Sequence, residues 1–217
     1  MPQLFGPYAN TLARLVLMSV IAGPLVLVGG LVGQQWMPST TGAGQTPEQP
    51  IPFSHKHHVG EDGLDCRYCH VTVEDTAFAG MPSTHVCMTC HSQLFTNAPM
   101  LAPVRESLAE GRPLVWVRVD NLPQYVYFDH SIHISKGVGC SECHGEVQDM
   151  PLTRQGTNLN MGFCLSCHRD PGPHLRAQSQ ITDTSFVAQN APAEAAAFVR
   201  AYHIEVSHLT DCSVCHR

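Results

Sequence analysis

Ten cysteines and 14 histidines stand in a chain of 217 residues, and the cysteines are not scattered. They fall at Cys66 and Cys69, Cys87 and Cys90, Cys140 and Cys143, Cys164 and Cys167, and Cys212 and Cys215, so each belongs to a C-x-x-C pair. A histidine follows every pair at once: His70, His91, His144, His168 and His216. On one helical turn, residues i, i+3 and i+4 share a face. Two thiols so placed can add across the two vinyl groups of one porphyrin while the adjacent histidine reaches its iron. That is the chemistry of covalent c-type haem attachment. Zinc would draw four ligands from two pairs and give no reason for a histidine after each. Disulfides would suit an oxidising compartment but not one spacing used five times. With 14 histidines in 217 residues, chance would fill all five follow-on positions about once in a million chains. The sequence predicts five covalently attached haems c.

Iron in such a site takes a second ligand from the far side. Successive motifs are separated by 16, 48, 19 and 43 residues, a short–long–short–long rhythm. F-S-H-K-H-H at 53–58 precedes the first motif and F-D-H-S-I-H at 128–133 precedes the third, both reading F-x-H-x-x-H. This pattern predicts a duplicated two-haem unit with a fifth haem appended. Histidines three apart on a turn point the same way at different heights, so they can serve two irons. His55, His58, His130 and His133 are therefore the expected far-side ligands. For the fifth iron, His85, His174, His203, His208 and Met161 compete. Met161, three residues before Cys164 in NMGFCLSCH, heads that set; a thioether would raise the potential of its haem. Its plainer role is packing against a haem face. His57 breaks the repeat and is expected in solvent. Arg67, Arg118, Arg154 and Arg169 suit haem propionates, and equally suit a charged surface.

These residues need positioning, and the chain offers little else to do it. Residues 15–32 form an uncharged apolar run of 18 residues, enough at about 1.5 Å per residue to approach the span of a bilayer core. Pro24 is tolerated in such a helix. Arg14 and the amino terminus lie on its leading side, which puts the N-terminus in the cytoplasm and all that follows outside. A cleaved signal peptide is the rival, but no A-x-A site follows the run. The expected divisions are a cytoplasmic segment 1–14, a transmembrane anchor 15–33, a linker 34–52 and a haem domain 53–217. Alternation over 113–121 predicts a short strand, and 193–202 reads as a helix. With 16 prolines and 17 glycines, the rest should be loops and short helices wrapped on porphyrin. The fold class expected is mainly α and irregular, with the haems as its core. A net charge of −6 argues against nucleic acid as a partner.

The F-x-H-x-x-H segments resemble those of class III multihaem cytochromes of the c3 and c7 type. The spans DCRYCH (65–70), MPSTHVCMTCH (81–91), NLPQYVYFDHSIH (121–133), NMGFCLSCHRD (160–170) and DCSVCHR (211–217), behind one anchor, resemble the pentahaem subunit of bacterial alternative complex III. That resemblance implies a non-catalytic electron-transfer subunit of a quinol-oxidising respiratory or photosynthetic complex. It would sit on the periplasmic side of the bacterial cytoplasmic membrane and relay electrons toward a periplasmic acceptor. Its implied partners are an iron–sulfur/molybdopterin-enzyme-like subunit, NrfD-like membrane subunits and a monohaem cytochrome c. A lone quinol dehydrogenase of the NrfH/NapC kind is similar in architecture. Its members typically carry four haems, the first close to the membrane, whereas roughly 30 residues separate Gly33 from Cys66 here. A multihaem reductase would need an iron with an open position; no motif has lysine in place of histidine, and spare histidines abound.

Overall fold

The computed structural model describes residues 6–186 and 191–216, so the first five residues of the expected cytoplasmic segment lie outside it. The chain divides between Gly42 and Ala43 into two compact units.

In the first unit, helix α1 covers Ala9–Gln34 and a single turn, α2, covers Pro38–Thr41. The 26 residues of α1 rise about 39 Å at 1.5 Å each, more than a hydrocarbon core of about 30 Å. None of its described side chains is buried, and it is long and apolar enough to cross a membrane. Arg14 lies within its first turns, and Pro24 inside it gives up one ladder hydrogen bond.

The second unit is a succession of short helices: α3 (Cys66–Cys69), α4 (Thr84–His91), α5 (Ala102–Glu110), α6 (His130–Ser135), α7 (Cys140–His144), α8 (Met161–Arg169), α9 (Pro192–Ala201) and α10 (Cys212–Cys215). A π-helical turn, Lys56–Glu61, carries the end of the first F-x-H-x-x-H segment. No strand occurs among the described residues; there are only isolated bridges, Val126 with His216 and Val138 with Leu175. The strand expected over 113–121 is therefore corrected. Its alternation is real, with Leu114 and Trp116 half-buried between exposed neighbours. No second strand lies beside it. Instead the Gln49 side-chain amide accepts from the Val117 N–H and donates to the Val117 carbonyl, both at 2.9 Å. The same bond belongs to a second difference. Residues 43–52, expected as spacer, are part of the larger unit, where Gly44 N–H donates to the Gln155 carbonyl and Ile51 is buried.

The polypeptide core is thin. Among the described residues the buried hydrophobic side chains are Ile51, Val73, Val104, Ile134, Met150, Leu175, Ile181 and Ala195, few for a domain of this length. Its most buried polar group is Arg176, 1% exposed. The guanidinium bonds Glu142 Oε1 at 2.6 Å, Ser141 Oγ at 3.3 Å and the Asp183 carbonyl at 3.2 Å, and lies over the Phe186 ring. It thereby ties α7 to the 175–186 segment. Gly139 permits this, because a Cβ there would meet the guanidinium at 2.2 Å. Arg176→Met would leave the Glu142 carboxylate with His174 in place of its buried guanidinium partner, and breaking such buried pairs costs up to about 3–5 kcal/mol. A clear fall in the thermal unfolding midpoint of the purified protein is the expected result.

Candidate haem centres

Each C-x-x-C pair starts or lies within a helical turn, in α3, α4, α7, α8 and α10. That is what two thiols and a histidine on one face require. Asp65 Oδ1 caps α3 by accepting from Arg67 N–H at 2.9 Å, and Asn160 Oδ1 caps α8 through Phe163 N–H at 2.8 Å. Caps of this kind are worth about 1 kcal/mol. In the second F-x-H-x-x-H segment Asp129 Oδ1 caps α6 through Ser131 N–H at 2.9 Å.

The imidazoles are held by one nitrogen each. Nδ1 of His70 donates to the Gly80 carbonyl at 2.8 Å, His91 to Leu94 at 3.2 Å, His168 to Leu209 at 2.8 Å and His216 to Tyr125 at 3.4 Å. His144 donates instead to the Asp120 carboxylate, 2.8 Å away. The four expected far-side histidines follow suit: His58 to the Ser54 carbonyl at 2.9 Å, His130 to Ala77 at 2.8 Å and His133 to Asp129 at 2.7 Å, with His55 Nδ1 at 3.1 Å from Thr153 Oγ1. A carbonyl or carboxylate can only accept, so Nδ1 carries the hydrogen and Nε2 presents its lone pair. Metal-binding histidines are fixed in this way. His57 is different. It is half-exposed, and both its nitrogens face carboxylates, Glu61 at 3.0 Å and Asp62 at 3.5 Å.

The rings also come in pairs. The centroids of His58 and His91 are 6.1 Å apart, those of His130 and His144 6.2 Å, and those of His133 and His168 6.1 Å. A metal–imidazole bond of about 2.0–2.1 Å, plus about 1.1 Å from nitrogen to ring centre, counted on both sides of one iron, gives about 6.2–6.4 Å. The two F-x-H-x-x-H segments share their packing. Phe53 meets His55 edge-on at 4.9 Å and stacks on His58 at 4.6 Å, while Phe128 meets His130 edge-on at 4.8 Å and stacks on His133 at 4.5 Å. Burial pushes His55 down to about 4, with His70, His58 and His144 adding to the effect. Burial likewise lowers His130 and His133. Burial thus favours the neutral form of these rings, the form that binds a metal.

All ten thiols are free. Their neighbours are other motifs' thiols. The neighbouring Cys66 thiol, with burial, drives the Cys140 thiol far above its ordinary range. Burial and then Cys87 raise Cys69. Burial, then Cys167 and Cys164, push Cys143 up to about 12, and burial, then Cys215, raises Cys164. Among the described residues no three His, Cys, Asp or Glu side chains converge as they would on a bare metal ion. Free thiols beside imidazoles paired across about 6 Å, in a thin core, fit a flat iron-bearing ring.

Against His216 no second histidine ring stands at that spacing among the described residues; its ring neighbour is Tyr125, at 5.9 Å. Met161 is exposed at the start of α8, one turn before Cys164. His174 Nδ1 bonds Glu142 Oε2 at 3.1 Å, and the exposed His208 bonds Asp211 at 3.3 Å. Of the arginines singled out for propionates, Arg67 is engaged by Asp65 and Glu74, and Arg118 lies 5.8 Å over the Phe78 ring. Asp120, Glu142 and Arg176 escaped sequence reasoning. Only Glu142 carried any mark, as the second variable residue of the third motif.

No protein-family model matches the chain. It is 42% identical over 98 residues to the multihaem cytochrome c subunit of the menaquinone reductase of Nitratidesulfovibrio vulgaris (strain Hildenborough). The match takes in 45% of this chain and 46% of that subunit, so the chain spans about half the length of the relative. The chain is thus similar to a multihaem cytochrome c.

The carboxylate of Asp65, gripped by Arg67 and by Thr182 Oγ1, is held well below its usual range. Its protonation in the folded state is disfavoured, so its contribution to stability is full above the ordinary carboxylate pKa near 3.8 and is lost as pH falls below it. Asp65→Ala should cost about 1 kcal/mol at neutral pH. The difference from wild type should shrink in acid, as read from denaturation midpoints across pH.

Proposed function

We propose that this chain is a membrane-anchored, pentahaem electron-relay subunit of a quinone-linked respiratory or photosynthetic complex. The observation that carries this reading is the set of three imidazole pairs at 6.1–6.2 Å, each ring tethered through Nδ1. The cysteines of each C-x-x-C pair would form thioethers, and the adjacent histidine would bind iron. Bound haem supplies an iron that changes oxidation state by one electron. His55 would face His70, His58 His91, His130 His144 and His133 His168, in a class III-like duplication, with Met161 assigned opposite His216.

Hydrogen bonds suggest an order for the motifs. His55 and His58 on one turn join the first and second. His130 bonds Ala77 in the loop after His70, joining the third to the first. His130 and His133 join the third and fourth. His168 bonds Leu209, just ahead of the fifth motif, and Tyr127 N–H bonds the Cys215 carbonyl. The row would run second, first, third, fourth, fifth.

Helix α1 would hold this row on the periplasmic face of the bacterial cytoplasmic membrane. The five spans of the sequence that resemble alternative complex III favour quinol oxidation, with electrons leaving toward a periplasmic acceptor. They also favour an iron–sulfur/molybdopterin-enzyme-like subunit, NrfD-like membrane subunits and a monohaem cytochrome c as partners. A second reading reverses the flow, toward quinone, and the name of the menaquinone reductase relative favours it. Reduction of the haems by added quinol in the purified complex supports the first direction. Quinone reduction driven from a periplasmic donor, with no reaction from quinol, supports the second.

The intact mass of the mature chain should include five haems; fewer would defeat the reading. His58→Ala should turn one haem in five high-spin in the optical and EPR spectra, whereas His57→Ala should leave the spectra unchanged. Replacing 1–34 with a cleavable signal should release a haem-loaded protein from membranes into the soluble periplasmic fraction.

A further inference from the structure

Four motif histidines pass their Nδ1 hydrogen to a neutral backbone carbonyl. His144 passes its hydrogen to a carboxylate, Asp120 Oδ2, at 2.8 Å. The pair is half-buried, the Asp120 side chain 24% exposed. The other carboxylate oxygen, Oδ1, is buried with no hydrogen-bond partner, so no further donor draws charge away from the bond to His144. Across the same pair, His130 is held by the neutral Ala77 carbonyl. Glu142, the other acid beside this motif, differs because the Arg176 guanidinium answers its charge at 2.6 Å.

An imidazole whose Nδ1 hydrogen is drawn toward a carboxylate is a stronger donor through Nε2. A stronger axial donor favours ferric over ferrous iron and lowers the reduction potential. We propose that Asp120 is a positioning residue that holds His144 in this strongly donating form and sets the third site below the other histidine-pair sites in potential. This rests on the haem reading above.

The ring planes give the site a signature. The His130–His144 planes are 3° apart, whereas the His58–His91 planes are 71° apart. Parallel axial imidazoles give a rhombic low-spin EPR signal, and strongly crossed ones give a signal of large maximal g. The experiment is an EPR-monitored redox titration of the haem-loaded chain as wild type, Asp120→Asn and Asp120→Glu. In Asp120→Asn the most rhombic signal should titrate at a higher potential while the large-g signal stays in place. Asp120→Glu should keep the low value. Unmoved potentials in Asp120→Asn, a shift common to all the haems, or loss of a haem from that variant by mass would each overturn the proposal. Five haems in wild type with any of those outcomes removes only the role of Asp120; fewer than five in wild type removes the reading beneath it.

Discussion

An imidazole has two nitrogens, and a partner that holds the hydrogen on one fixes the ring so that the other can face a metal. The domain is organised around that constraint. Each of the nine motif and expected far-side rings is pinned at Nδ1, eight of them by an oxygen that can only accept. Five of the pins come from distant parts of the chain: Thr153 for His55, Ala77 for His130, Asp120 for His144, Leu209 for His168 and Tyr125 for His216. These hydrogen bonds orient rings and are also long-range contacts of the fold. Few apolar side chains share the task, since the buried hydrophobic residues among those described are only eight.

What could be read in advance was what depends on neighbours in sequence. The C-x-x-C-H spacing implies helical turns, and every motif begins or lies in one. The repeated F-x-H-x-x-H pattern predicts equivalent surroundings for its histidines, and Phe53 and Phe128 pack on them alike. The helix read over 193–202 stands as Pro192–Ala201. The failures come from partners far away. Residues 113–121 alternate as a strand does, but their partner is one glutamine side chain 68 residues earlier. The tail of the expected linker is drawn in by Gln155. Asp120 lies 24 residues before His144 in an unremarkable stretch, and nothing local marks it.

The third motif shows how charge is managed in a small domain. Two acids flank it, and their fates differ. Glu142 is neutralised by a buried guanidinium that serves structure as much as charge, since Arg176 also reaches Ser141 and the Asp183 carbonyl. Asp120 spends one oxygen on a single imidazole, and its other oxygen is buried without a partner. Packing demands on one side and electronic demands on the other are met by different residues. The two can therefore change independently.

The contact between Cys66 and Cys140 bears on biogenesis. Thiols from motifs 74 positions apart in sequence are neighbours in the fold. In an oxidising compartment two such sulfurs are a disulfide in waiting, and closing it would spend one thiol from each of two motifs. On the proposed reading, ligation of porphyrin would have to outrun that oxidation. A chain that collapses toward its final shape too early would cross-link itself into a dead end.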